Sequence, residues 1–139
     1  MIRKTAVDTS LAVPLVLANH VLHDEVARWA EGRELWLAGH AAVETLSVLT
    51  RLPGDMRTTS ATAVVLIEDR FAGILALPEG AASNAHRAIG EAGVAGGAVY
   101  DALVGLAARY HGARLVTRDR RALGAYAAVS ADAEVMGAS

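Results

Sequence analysis

Four acidic residues stand apart from the rest by their surroundings: Asp8, Glu44, Asp101 and Asp119. Asp8 follows KTAV and Asp119 follows LVT by one residue, so both fall at the ends of predicted strands. Glu44 lies in HAAVETLSVL and Asp101 in GGAVYDALVGLAA, each on a predicted helix among mostly apolar or small neighbours. Ligands of an open parallel sheet bind beyond the carboxyl ends of its strands, where acids from helices and strand ends can meet. A carboxylate turned toward an apolar interior is costly unless something compensates it. Several carboxylates within about 4–6 Å of one another resist joint ionisation. A divalent cation answers both problems, because hard ions such as Mg2+ or Mn2+ prefer oxygen ligands and become the largest local charge. Such an ion keeps several waters, lowers the pKa of one to make a nucleophile, and neutralises charge on a phosphate during in-line displacement. With no cysteine in the chain and no His/Cys ligand set, magnesium or manganese suits the donors better than zinc.

Each acid also has a plainer reading. Asp8 and Asp119 precede helices, where Asp commonly serves as an N-cap. Glu44 shares a helical face with His40, Ser47 and Arg51, a stripe that a solvated surface would also show. His40, one turn before Glu44, could reach the site but fits an ordinary surface histidine better. Asp101 is harder to explain away: its helix is apolar on nearly every side, and the positions stacked with it (Gly105, Ala108, Gly112) are small, as close approach requires.

The cations are unevenly spread. Twelve of the thirteen are Arg, and five fall between Arg109 and Arg121. Arg118, Arg120 and Arg121 flank Asp119 and could contact phosphates on either side of a scissile bond, since guanidinium suits bidentate phosphate contact. The alternative is a solvated arginine surface. The net charge of −2 gives no bulk attraction for nucleic acid.

These residues need elements to hold them. Strands are predicted at 2–7, 34–38, 73–78 and 114–117. Helices are predicted at 10–18, 20–31, 40–51, 58–70, 79–92 and 98–111, with a short one from 120. SADAEVM offers at most an edge strand, because 124–136 carries little strand pattern. Alternating strands and helices imply an α/β domain with a doubly wound, mostly parallel sheet of four to five strands and helices on both faces. The 139 residues, 53% hydrophobic and 20% charged, suit one domain spanning 1–139 with an ample core. No apolar run approaches the ~20 residues a membrane span needs. The start MIRKTAVDTS leaves no room for a secretory apolar core, so a cytoplasmic protein is expected.

Read in order, AVDTS, HAAVETLSVLTRLPG and YDALVGLAARYHGARLVTRDRRAL resemble the PIN-domain ribonucleases, and among them the VapC toxins of bacterial toxin–antitoxin pairs. The resemblance runs over nearly the full chain. It implies a PIN fold, an acidic quartet of Asp8, Glu44, Asp101 and Asp119 holding one or two Mg2+ or Mn2+ ions, and hydrolysis of RNA phosphodiester bonds by activated water. It further implies supporting hydroxyls at Ser10 and Thr117, and a small antitoxin whose arginine enters the acidic pocket. Apolar residues of the early helices, Leu11, Leu15, Val21, Leu22 and Trp29, would receive that partner, and a homodimer is expected. Relatives cut transfer RNA, ribosomal RNA or other transcripts, so similarity does not choose the substrate. A receiver domain would need paired acids and a late lysine, a dehalogenase-type phosphatase a second Asp where Ser10 stands, and a phosphate loop its lysine. The remaining competitor is a PIN-like binding module with an idle metal site.

Overall fold

The computed structural model describes residues 2–138, so the outermost positions of the expected domain lie outside it. Five strands form one sheet: β1 (Thr5–Val7), β2 (Leu35–Ala38), β3 (Ile74–Leu75), β4 (Arg114–Thr117) and β5 (Asp132–Val135). Their spatial order is β3-β2-β1-β4-β5, and each neighbouring pair is parallel. The expected doubly wound architecture is therefore present. The inner strands read as apolar runs because both faces are covered: Ala6, Val7, Leu35, Leu37, Leu115 and Val116 are all buried.

Among the described residues eight α-helices pack around the sheet: α1 (Thr9–Val16), α2 (His23–Ala30), α3 (Ala41–Arg51), α4 (Ser60–Arg70), α5 (Glu79–Ser83), α6 (Ala85–Glu91), α7 (Ala98–Tyr110) and α8 (Leu123–Ala128). Pro14 sits at the sixth position of α1, not in its first turn, and the helix stops two residues later. Without an N–H and with a ring that crowds the preceding turn, proline favours just such a stop. The single helix expected over 79–92 is broken at Asn84, whose side chain donates to the Gly80 carbonyl at 2.9 Å. An Asn that hydrogen-bonds back to the chain competes with helix continuation.

The strand expected at 73–78 keeps only Ile74 and Leu75, at the sheet edge beyond β2. At the other edge the weakly patterned tail does form β5, with Arg114 opposite Asp132 and Leu115 opposite Ala133. Its acids are paired across the sheet: Asp132 with Arg3 at 2.7 Å and Glu134 with Arg114 at 3.0 Å. The early helices leave less apolar surface than expected. Leu11 and Leu15 belong to the core, Leu22 and Trp29 pack partly against it, and only Val21 stands clear at 91% exposure.

Candidate active site

The strand order reverses at β1, whose neighbours are β2 on one side and β4 on the other. Connections leave this point in opposite directions and open a crevice at the strands' carboxyl ends. Asp8 follows β1 there and Asp119 lies two residues beyond β4. Glu44, in the first turn of α3, and Asp101, in the first turn of α7, close the crevice from the helical layers. All four predicted acids line one cavity of about 100 Å3, together with Thr9, Ser10, Val104 and Tyr126.

Asp8 is both a cap and a pocket residue. Its Oδ1 accepts from the Ser10 N–H at 3.1 Å and the Ser10 hydroxyl at 2.5 Å, capping α1. Its Oδ2 accepts from the Tyr126 hydroxyl at 2.5 Å. Burial pushes the Asp8 carboxyl above its usual range, while hydrogen bonds from Ser10 and Tyr126 pull the other way. Ser10 spends its one proton on Asp8, which leaves Thr117 to donate across the 3.1 Å between the two hydroxyls. Ser10 Oγ also accepts from the Arg118 N–H at 2.8 Å, and Thr117 Oγ1 from the Asp119 N–H at 2.9 Å. The two hydroxyls thus tie the loop after β4 to the loop after β1.

Asp119 caps the 3-10 turn Arg120–Ala122 by accepting from the Arg121 N–H at 3.0 Å. The same oxygen faces Arg121 Nε at 3.2 Å. Glu44 accepts from the Thr9 hydroxyl at 2.9 Å. Half-buried Asp101 is pushed upward, by burial first and then by the negative charges of Glu44, Asp119 and Asp8. These carboxylates feel one another.

Among the described residues no three of these groups form a ready-made metal shell. The donors nevertheless fit a hard divalent ion of the magnesium kind, which retains waters and takes one or two carboxylates directly. A cavity of this size admits such a hydrated ion, and the cluster needs a positive charge.

The predicted arginines divide. Arg118 pairs with Glu25 of α2 at 3.0 Å, Arg121 engages Asp119, and Arg120 is exposed. Two polar pocket residues were not anticipated, Tyr126 and Thr9, nor was the apolar Val104. Tyr126 is 1% exposed, and burial beside Asp8 raises its phenol far above the ordinary value, so it remains a donor. Its only sequence signal is an aromatic on a short Ala-rich helix. Thr9 was visible as a polar neighbour of Asp8, but its link to Glu44 is a tertiary contact.

The PIN domain family profile matches residues 5–128. Ribonuclease VapC27 of Mycobacterium tuberculosis (strain ATCC 25618 / H37Rv) is 48% identical over 121 residues, covering 87% of this chain and 88% of that protein. Ribonuclease VapC40 of Mycobacterium tuberculosis (strain CDC 1551 / Oshkosh) is 39% identical over 132 residues, covering 94% and 98% respectively.

Proposed function

The chain belongs to the PIN domain family, alongside the VapC ribonucleases, and from that premise we propose that it is a VapC-type toxin endoribonuclease whose site is the Asp8, Glu44, Asp101 and Asp119 pocket. The observation that carries this assignment of the site is the convergence of four acids, from β1, α3, α7 and the loop after β4, on one cavity. Those acids would hold Mg2+ or Mn2+. An ion held there would supply an activated water and neutralise charge at the scissile phosphate. The protein's part is positioning. Ser10, Thr117 and Tyr126 hold Asp8 and the Asp119 loop in one arrangement, and Thr9 does the same for Glu44. Supporting donors of this kind typically tune metal affinity and activity strongly.

Arg120, which is exposed, and Arg121 would meet the RNA backbone beside Asp119. Arg118 would join them by giving up its partly exposed pair with Glu25, a small loss for an ion pair of this type. A small antitoxin is the fitting partner, since a guanidinium entering this negative pocket could pair bidentately with its acids. The exposed Val64, Val65 and Ile74 support self-association as a dimer. No helix among the described residues is long and apolar enough to cross a membrane, which accords with action in the cytoplasm.

Purified protein is expected to cleave a structured RNA in the presence of Mg2+ or Mn2+ and to stop when EDTA is added. Undiminished cleavage in chelator would overturn the metal-centred reading. The idle-site alternative draws on the absence of a ready-made shell among the described residues. It predicts no cleavage with either ion.

Stability offers a second test. Asp8 and Asp101 are both raised in the folded state. Their ionisation therefore opposes folding above the folded-state pKa values, and the penalty disappears as pH falls toward the unfolded value of about 4. Metal-free protein should therefore gain from these groups as pH falls through their raised folded-state values toward about 4. The effect of Mn2+ should run the opposite way, because its ligands must be ionised. At saturating Mn2+ and neutral pH, Tm is expected to rise by about 5–10 °C. Near pH 5 most of that increment should vanish. An equal increment at both pH values in a thermal melt would show that the ion binds elsewhere.

A further inference from the structure

Next to the carboxylate pocket lies a second cavity of about 480 Å3, and the two share Glu44 and Asp101 as a common wall. Its remaining walls come from His40, Val43 and Ser47 on the α3 side and from Gly97 and Tyr100 at the start of α7. We infer that this cavity receives a nucleobase of the RNA strand, the base adjacent to the phosphate held at the acids, with Tyr100 as its stacking surface and His40 at its edge. The inference rests on the RNA-cleaving reading of the neighbouring pocket.

Three observations support it. Tyr100 is 64% exposed although large and aromatic, and it directly precedes Asp101. An aromatic face held beside the reactive centre is the usual platform for an unstacked RNA base. His40 meets Tyr100 edge-on, ring centroids 6.1 Å apart at 83°. Both His40 ring nitrogens are buried without a hydrogen-bond partner. A neutral imidazole carries one donor and one acceptor, and leaving both unsatisfied in the interior is costly. The edge of a base offers complementary groups, so a base that displaces Tyr100 slightly gives His40 what it lacks.

Charge then chooses which part of a nucleotide enters. The walls carry two carboxylates and neither arginine nor lysine, so a phosphate is repelled where an uncharged base is not. Val43, 66% exposed, adds apolar contact.

The test compares Tyr100→Ala, Tyr100→Phe and, as a surface control, Tyr110→Ala at the far end of α7. Cleavage of a single-stranded RNA is followed with Mn2+, and the Mn2+-induced shift in Tm is recorded for each variant. Tyr100→Ala is expected to raise KM about tenfold, the scale of losing one stacking contact, with kcat less affected and the Mn2+ shift unchanged. Tyr100→Phe should stay within about twofold of the parent, because the ring and not the hydroxyl stacks. Tyr110→Ala should be neutral. His40→Ala should flatten the preference among A-, C-, G- and U-homopolymers.

A Tyr100→Ala enzyme with the parent's KM overturns the base pocket and leaves the nuclease assignment standing. So does an equal loss in Tyr110→Ala. A parent protein that neither binds nor cleaves RNA overturns the reading on which the pocket rests, and the pocket with it.

Discussion

Asp101→Asn is expected to lower RNA cleavage by about a hundred- to thousand-fold, the scale on which removing one preorganised electrostatic group acts, while the metal-free protein melts at the same temperature or higher. The carboxylate is half-buried and feels Glu44, Asp119 and Asp8. Asparagine keeps its shape and removes one of the mutually repelling charges, so folding loses nothing and metal binding loses a ligand. Asp8→Asn should behave differently. Both Asp8 oxygens accept hydrogen bonds, from Ser10 and Tyr126, so an amide NH2 must face a donor on one side. That variant should lose activity and also about 1–3 kcal/mol of stability, as an unmatched buried polar group does. Kinetics and thermal melts of both proteins decide the matter. Should Asp101→Asn unfold the chain while Asp8→Asn still cleaves RNA, the acids are structural and the proposed site is wrong.

Gly105→Val is expected to destabilise the fold by about 1–3 kcal/mol through overpacking, more than offsetting valine's somewhat better helix propensity than glycine's. A Cβ added at Gly105 would lie 3.0 Å from Tyr126 Cδ1, 3.1 Å from Val129 Cγ2 and 3.4 Å from Ala131 Cβ. Valine adds two methyls to a contact already full. Because Tyr126 is the hydroxyl donor to Asp8, the displacement reaches the acids, and activity should fall even at temperatures where the variant stays folded. Gly105→Ala sets the small crowding against a gain of about 1 kcal/mol in propensity and should be near neutral. Denaturant titration of the pair measures both. A valine variant as stable as the parent would mean that α7 and α8 are not locked together here.

Gly105 also shows how far the sequence was legible. Small residues stacked with Asp101 pointed to a close approach; the structure shows one at Gly105, whose partner the sequence did not reveal, but not at Gly112, which lies exposed beyond the end of α7 with nothing near it. The inner strands and longer helices were readable because their apolar patterns reflect burial on known faces. The edge strand β5 was not, for a physical reason. An edge must discourage pairing with other chains, and charged side chains do that. Asp132 and Glu134 therefore dilute the apolar pattern while holding the strand through Arg3 and Arg114. Asp101 could be singled out because its helix is otherwise apolar, whereas Asp8 and Asp119 stood where N-caps are common, which they also are. Tyr126 could not: 118 residues separate it from Asp8, and only folding tells a core aromatic from one whose hydroxyl has a task.

The central place of β1 and β4 in the sheet governs when the site can exist. They pair with each other through Thr5–Arg114 and Val7–Val116, so the ends of β1 and β4 meet only after most of the chain has been made. At a synthesis rate of about 5–20 residues per second, Asp8 waits several seconds on the ribosome before Asp119 emerges. If the four acids are the cleaving site, as proposed above, RNA cleavage would begin only after β4 has been made and paired with β1.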